Sequence, residues 1–243
     1  MSESVRQWLQ QVDWQIRFEW GPTGLAAIGG HDVVIVDVLR FTTAVCAGVE
    51  QGARIYPHRW KDDSARTFAD SVGAILAGGS DPLGPSLSPV RLSHLQPDDR
   101  VVLPSPNGST CAALAHAAGA RVYAACLRNA TAVAEHLAGS EGPVTVVAAG
   151  ERWPDGSLRP ALEDLLGAGA VLAALSGSRS PEAEAAATLW SSAKDRVGPL
   201  IRGCASGLEQ VERGWADDLD YAIEFDASDV VPMLVDGAFV HAR

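Results

Sequence analysis

The sequence predicts an α/β fold: a mostly parallel sheet flanked by helices, with a C-terminal β-hairpin. Short apolar runs alternate with segments of helical length along the chain, a pattern typical of parallel strands joined by helices. The run at 33–36 is continuous and β-branched, as expected for a strand buried on both faces. Near the C-terminus, two apolar runs flank Asp236-Gly237, a pair favoured in two-residue hairpin turns.

Each run was assigned in order along the chain. The predicted strands cover residues 14–20, 33–36, 53–57, 74–77, 100–103, 121–125 and 143–149, and the hairpin covers 230–241. The predicted helices cover 42–50, 61–72, 108–118, 131–137, 161–175 and 181–194. The first 13 residues are predicted to form an amphipathic helix or a loose terminus. Residues 78–97 and 150–160 lack periodicity and are predicted to be loops; for a loop as long as 78–97, a functional role is common.

Length and charge limit the function classes. The 243 residues carry a formal net charge of -11 and form no basic patch of the kind that binds nucleic acid. No apolar run approaches membrane length, and four scattered cysteines indicate a reduced, cytoplasmic protein. We expect one functional unit over 1–243, with a division into two α/β subdomains near 100–150 and a homo-oligomeric state both left open.

Polar groups follow the buried strand at 33–36. Asp37 lies at its carboxyl end, where open α/β sheets place their ligands, and Arg40 comes three residues later. Thr42 and Thr43 stand where a helix begins, so that its free N–H groups suit a phosphate. Together these residues suit a metal ion and a phosphate group. The alternative is that Asp37 pairs with Arg40 and the threonines cap the helix.

A second polar loop follows the strand at 100–103. Asn107, Gly108, Ser109 and Thr110 open the next helix, where a helix dipole and hydrogen-bonding side chains favour an anion. Gly108 would allow the backbone to approach a ligand closely. The alternative is an ordinary Asn-Gly turn with a serine cap, because short motifs of this kind have frequent false positives.

Three further carboxylates belong to the predicted site. Glu151 follows the strand at 143–149, and Glu163 and Asp164 lie in the first turn of the next helix, where acidic residues also stabilise the helix dipole. Loops after three strands therefore bring carboxylates and phosphate-binding groups to one edge of the sheet. Oxygen ligands of this kind suit Mg²⁺ better than zinc. In contrast, Ser206-Gly207 is interpreted as a turn and Asp217-Asp218 as a solvated face.

The combined motifs resemble those of the 2-phosphosulfolactate phosphatases, over about residues 33–240. The motifs, in chain order, are Asp37-Val-Leu-Arg-Phe-Thr-Thr43, Asn107-Gly-Ser-Thr110, Gly150-Glu151, Leu162-Glu-Asp-Leu-Leu-Gly-Ala-Gly-Ala170 and Asp229-Val-Val-Pro-Met-Leu-Val-Asp-Gly237. The resemblance implies an α/β phosphatase that depends on Mg²⁺ and releases sulfolactate and phosphate on the route to coenzyme M. It assigns the matching positions to Asp37, Arg40, Asn107, Gly108, Glu151, Glu163 and Asp164.

The sequence departs from the family pattern in the 78–97 loop. A Gly-Glu-Arg stretch usual in the family is replaced by residues that include Ser80 and Asp81, and the basic side chains in this loop are Arg91 and, when protonated, His94. The lost positive charge affects recognition of the sulfonate more than the phosphatase chemistry. A sulfonate buried without a charged partner lowers the affinity for the substrate, so a single arginine can decide which substrate is accepted. We therefore expect poor hydrolysis of 2-phosphosulfolactate and equal or better hydrolysis of a phospho-acid without the sulfonate.

These observations predict a Mg²⁺-dependent phosphatase of 2-phosphosulfolactate or a related small phosphorylated hydroxy acid. We expect Asp37, with Glu163 or Glu151, to hold the metal, which polarises the phosphate and orients a water molecule. Arg40 and the 107–110 loop would stabilise the developing charge, and Asp164 would accept the proton. Attack by Asp37 on phosphorus stays open. The alternative function is a catalytically silent protein that binds a phosphorylated metabolite.

Overall fold

The computed structural model describes residues 7–60, 62–78 and 84–242. The strands are β1 (Ile16–Trp20), β2 (Asp32–Val36), β3 (Arg54–His58), β4 (Ile75–Leu76), β5 (Arg100–Pro104), β6 (Arg121–Ala125), β7 (Val144–Ala148), β8 (Glu151–Arg152), β9 (Leu158–Arg159), β10 (Pro232–Val235) and β11 (Ala238–His241). The predicted α/β class, the mostly parallel sheet and the C-terminal hairpin are confirmed.

Helices connect the strands and cover the sheet. They are α1 (Gly21–Ile28), α2 (Phe41–Glu50), α3 (Asp63–Val72), α4 (Pro89–Leu92), α5 (Gly108–Ala117), α6 (Ala130–His136), α7 (Leu162–Ala174), α8 (Pro181–Ala193), α9 (Val197–Gly203), α10 (Ala205–Glu212) and α11 (Ala216–Ala222). Among the described residues, no helix combines the length and the apolar character needed to cross a membrane.

The main sheet contains two parallel sets of strands joined by the hairpin. Its order is β1-β7-β2-β6-β10-β11-β3-β5-β4. Strands β1, β7, β2 and β6 are mutually parallel, and so are β3, β5 and β4. The hairpin lies between the sets and pairs antiparallel with β6 and with β3. Three antiparallel pairings in succession give the two parallel sets opposite directions.

Strand β2 lies in the centre of the first set and is buried along its whole length. Helix α7 packs close to the end of this strand because it carries glycine at the contacts. A Cβ atom on Gly167 would lie 2.6 Å from Val38, and one on Gly169 would lie 2.5 Å from the carbonyl oxygen of Ala186 in α8. The glycines of the Gly-Ala-Gly-Ala segment therefore allow α7 to approach both the strand end and its neighbouring helix.

Four local predictions were wrong or incomplete. The 78–97 loop contains α4, which Ser88 caps by accepting a hydrogen bond from the Arg91 N–H. The 150–160 loop is the antiparallel hairpin β8–β9. Ser206 lies within α10 rather than in a turn. Of the N-terminal segment, residues 1–6 lie outside the described residues, and Gln7–Gln10 form a 3-10 turn.

Candidate active site

Asp37 lies directly after β2 and joins the starts of two helices. Its Oδ1 accepts a hydrogen bond from the Phe41 N–H (3.1 Å) in α2, and its Oδ2 accepts one from the Gly108 N–H (3.0 Å) in α5. Helix α5 follows β5, which belongs to the second parallel set. The predicted loops therefore do meet, but they come from two oppositely directed sets of strands rather than from one edge of a parallel sheet.

Thr42 and Thr43 hold the backbone around Asp37. Both side chains are fully buried. The Thr42 hydroxyl donates to the Asp37 carbonyl and accepts from the Asp37 N–H, and the Thr43 hydroxyl donates to the Val38 carbonyl. The Thr42 N–H, which was predicted to face a phosphate, donates to the Asp37 carbonyl at 2.9 Å. Neither threonine caps α2, so the alternative role as helix caps is also wrong.

Asp164, in the first turn of α7, connects two loops. Its Oδ1 accepts from the Val38 N–H and its Oδ2 from the Gly150 N–H, both at 2.8 Å. The side chain is 3% exposed. With both oxygens bonded to backbone and almost no access to water, Asp164 fits a positioning role better than the predicted role of proton acceptor.

Glu151 and Glu163 complete a group of four acidic side chains with Asp37 and Asp164, which we call the carboxylate cluster. The Glu151 Oε2 accepts a hydrogen bond from the Asn107 amide at 2.9 Å. Glu163 is almost fully buried, and its Oε2 accepts from the Cys204 thiol at 3.3 Å. No member of the carboxylate cluster forms a salt bridge within the described parts of the chain.

Burial and nearby negative charge raise the pKa values of three members of this cluster. Burial, and then the nearby charge of Glu151, raise the pKa of Asp37 to about 7, although its two backbone hydrogen bonds oppose the shift. Burial and the charge of Asp37 raise the pKa of Asp164. Burial also raises the pKa of Glu151, and the Asn107 hydrogen bond opposes that change. Perturbed carboxylates of this kind are frequent at functional sites.

The 107–110 segment differs in detail from the prediction. The Gly108 N–H is bonded to Asp37, and a Cβ atom at this position would lie 2.3 Å from the Phe41 ring and 2.8 Å from Asp37 Oδ2. Glycine is therefore required for contact with the protein's own groups. The hydroxyls of Ser109 and Thr110 donate to the backbone carbonyls of Leu103 and Pro106, so in this structure they stabilise the start of α5.

Asn107 links Glu151 to an arginine. Its amide nitrogen donates to Glu151, and its amide oxygen accepts a hydrogen bond from Arg152 Nε at 3.2 Å. Arg159, on the other strand of the β8–β9 hairpin, donates to the Ser206 hydroxyl. Two arginines therefore lie near the cluster and bond to neutral groups. Neither arginine was predicted to belong to the site, because 150–160 was predicted to be an irregular loop.

Arg40 forms an ion pair with Asp218, which was predicted to lie on a solvated face. Its Nη1 donates to Oδ2 of Asp218, and its guanidinium lies 3.9 Å from the centre of the Trp215 ring. Asp218 is 4% exposed, and its Oδ1 accepts from the Ser88 hydroxyl in front of α4. The alternative in which Arg40 pairs with Asp37 is therefore wrong, and so is the exposed position predicted for Asp218.

The side chains of the carboxylate cluster offer oxygen ligands, the kind that Mg²⁺ prefers. Among the described residues, no three acidic, histidine or cysteine side chains converge on a ready-made metal site, so Asp37, Glu151 and Glu163 are not preassembled as three ligands. Mg²⁺, however, commonly takes one or two protein carboxylates and completes its shell with water and substrate phosphate. An all-oxygen cluster whose charges repel one another fits such a cation, because the cation would offset the repulsion.

The chain is similar to known proteins over most of its length. The family model described as 2-phosphosulpholactate phosphatase matches residues 26–237. The chain belongs to this family. The match begins before β2 and ends in the hairpin turn, so it includes the whole carboxylate cluster and the Asn107–Gly108 segment.

Three relatives carry corresponding names. The chain is 31% identical to the "Probable 2-phosphosulfolactate phosphatase" of Deinococcus radiodurans, over 86% of this chain and 90% of that protein. It is 28% identical to the protein of the same name from Pseudothermotoga lettingae, over 86% and 92%. It is also 28% identical to the "2-phosphosulfolactate phosphatase" of Methanothermobacter thermautotrophicus, over 84% and 87%. The predicted family is therefore confirmed.

Proposed function

We propose that this member of the 2-phosphosulpholactate phosphatase family is a Mg²⁺-dependent phosphatase. Its proposed substrate is 2-phosphosulfolactate or a related small phosphorylated hydroxy acid. The observation that carries the proposal is the carboxylate cluster around Asp37, which is buried, lacks a salt bridge among the described residues and lies against the N-terminus of α5. Family membership supports the same reaction class.

The cation and the N-terminus of α5 would both neutralise the charge of the phosphate group. Asp37, with Glu151 or Glu163, would hold Mg²⁺, which supplies charge neutralisation for the phosphoryl oxygens when bound. The positive end of the α5 dipole would favour the phosphate group next to Asp37. These two features together would allow an anion to bind beside buried carboxylates that would otherwise repel it.

Among the cluster's carboxylates, Glu151 is the best proton acceptor for the attacking water. It is the most accessible member of the carboxylate cluster, and its raised pKa moves it toward the range in which a general base is efficient. The Asn107 amide orients its carboxylate. Asp164 would keep the Val38 and Gly150 loops in place.

A phosphate-release assay tests this proposal. We expect the purified protein to release phosphate from 2-phosphosulfolactate or 2-phospholactate with Mg²⁺, to stop when the metal is chelated, and to recover when Mg²⁺ is restored. Thermal unfolding with each ester serves as a parallel binding measurement. Esters that raise the unfolding temperature without any phosphate release would contradict the enzyme and support the silent metabolite-binding protein.

A further inference from the structure

A cavity of about 770 Å³ lies near the carboxylate cluster, although none of the four carboxylates is part of its lining. Its walls come from the end of β5, the segment around α4, the start of α11 and the residues after β3. Pro106 is part of its lining and directly precedes Asn107, so the cavity opens next to the helix start that contacts Asp37. This volume is in the range of small-molecule sites. A phosphate ester bound at the cluster would extend the rest of its structure into this cavity, which we call the arginine-lined cavity.

The charged side chains of the arginine-lined cavity are not equivalent. It is lined by three arginines, Arg40, Arg59 and Arg91, and by Asp217 and Asp218. Asp218 uses one oxygen for Arg40 and the other for the Ser88 hydroxyl. The Arg40 charge is therefore already compensated inside the protein, which limits its contribution to binding a second anionic group.

Arg59 has a different environment. It follows β3 directly, is exposed, and places its guanidinium 5.3 Å from the centre of the Trp60 ring. Within the described residues it forms no salt bridge. A guanidinium presents a planar set of donors that matches a carboxylate or a sulfonate. Arg59 therefore brings to the wall of this cavity a positive charge that no salt bridge among the described residues compensates.

We propose that Arg59 is a specificity-determining residue that binds an acid group of the substrate other than its phosphate. This inference rests on the proposed phosphatase function and adds the residue that would distinguish an ester carrying a second acid group from one that carries the phosphate alone. It revises the expectation drawn from the 78–97 loop, because positive charge reaches the cavity from outside that loop. Ser80 and Asp81, on which that expectation depended, lie outside the described residues.

Three esters of matched shape separate the acid groups. 2-Phosphosulfolactate carries a sulfonate and a carboxylate, 2-phospholactate carries the carboxylate alone, and isopropyl phosphate carries neither. The kcat/KM of each ester is measured for the wild-type protein, for Arg59→Gln and for Arg54→Gln. Arg54 is the matched control because it is an exposed arginine at the opposite end of the same strand.

We expect Arg59→Gln to lower kcat/KM about tenfold or more for the acid-bearing esters, the scale of one charge-assisted hydrogen bond. Isopropyl phosphate should be unaffected, and Arg54→Gln should change none of the three. A loss confined to 2-phosphosulfolactate would assign Arg59 to the sulfonate, and a loss for both acid esters would assign it to the carboxylate. Arg59→Lys should recover part of the loss.

The outcomes separate this inference from the proposed function. An active wild-type protein in which Arg59→Gln changes none of the esters, or lowers all three equally, overturns the role of Arg59 and leaves the phosphatase proposal standing. A wild-type protein that hydrolyses none of the three esters with Mg²⁺ overturns the phosphatase proposal, and the inference about Arg59 with it.

Discussion

Two buried aspartates mark the two ends of the central strand β2, and their surroundings differ sharply. Asp32 begins the strand and Asp37 follows its last residue. Asp32 is fully buried and Asp37 is 6% exposed. Burial alone would raise the pKa of both carboxyl groups, because it disfavours the charged form. The different partners of the two aspartates therefore decide what each charge does.

Asp32 is surrounded by donors. Arg121 binds it with two hydrogen bonds, from Nε at 2.6 Å and from Nη2 at 2.7 Å, and Ser140 and His31 add further bonds. Burial acts to raise the pKa of Asp32, but these hydrogen bonds and the Arg121 charge more than offset it and hold the pKa below its usual value. The charge of Asp32 is thus satisfied within the protein.

Asp37 is surrounded by other carboxylates. It has two backbone N–H donors but no salt bridge among the described residues, and the charges of Glu151 and Glu163 act with burial to raise its pKa to about 7. A buried charge that the protein leaves uncompensated is costly unless something binds it. The comparison shows a compensated aspartate at one end of the strand and an uncompensated one at the other. The uncompensated end is the one at which we propose that a cation and a phosphate bind.

The largest expected difference between the two ends is in activity. Asp37→Asn should lower Mg²⁺-dependent phosphate release about a thousandfold or more, equivalent to ~4 kcal/mol in the activation free energy, because the amide cannot carry the charge that holds the cation. Asp32→Asn should stay within about twofold of wild type, since it lies at the other end of β2. Both rates are measured at a temperature at which circular dichroism shows folded protein. Full activity of a folded Asp37→Asn protein would remove Asp37 from the metal site.

The next difference is in the pH dependence of stability without Mg²⁺. The folded-state pKa of Asp37 is about 7, above an unfolded-state value of about 3.9. Between these values the folded state binds more protons, so the free energy of unfolding should fall as pH rises, by up to about 1.4 kcal/mol per pH unit. Urea unfolding between about pH 5 and about pH 8 measures this slope.

The difference between wild type and Asp37→Asn measures the contribution of Asp37 to that slope, through its own titration and through the effect of its charge on Asp164. The other ionisable groups are present in both proteins, among them Asp164 and Glu151, whose pKa values are also raised. We expect a shallower slope in the variant, and a shallower slope in wild type when Mg²⁺ is added, because the cation favours the ionised carboxylate. Equal slopes in the two proteins without Mg²⁺ would show that the pKa of Asp37 is not raised in the folded state.

Much of the fold could be predicted from the sequence because its signals are local. The run at 33–36 is apolar and β-branched and forms β2, and Asp236-Gly237 has the positive φ angles that a tight hairpin turn requires. The position of that hairpin between two parallel sets of strands could not be predicted, because it depends on pairings between residues far apart in the chain. Helix α4, at four residues, is too short for a periodic signal.

The sequence allowed us to predict which carboxylates lie together, but not which side chains they and Arg40 contact. Asp37, Glu151 and Glu163 follow recognisable strands or begin a helix, and the structure brings them together. The ion pair between Arg40 and Asp218 could not be predicted, because the two residues are separated by 178 positions. Asp217 and Asp218 also lie in the first turn of α11, where acidic residues are common because they stabilise the helix dipole. Trp215, a large aromatic residue within a polar segment, was a local signal that this segment packs against the rest of the protein, and its ring lies against the Arg40 guanidinium.

The smallest expected effect concerns the stability that Asp32 provides. Asp32→Asn removes an acceptor from Arg121 and Ser140 and should lower the free energy of unfolding at neutral pH by about 2 kcal/mol. The loss stays below that of a fully buried ion pair because the Arg121 side chain is 49% exposed and can return to water.

Since the folded-state pKa of Asp32 lies below its unfolded value, this contribution is present above about pH 4 and disappears as pH falls through the folded-state pKa. Urea unfolding of the two proteins should therefore give curves that differ at neutral pH and converge in acid. Equal stability at neutral pH would mean that the Arg121 pair does not stabilise the strand, and the contrast between the two ends of β2 would then rest on Asp37 alone.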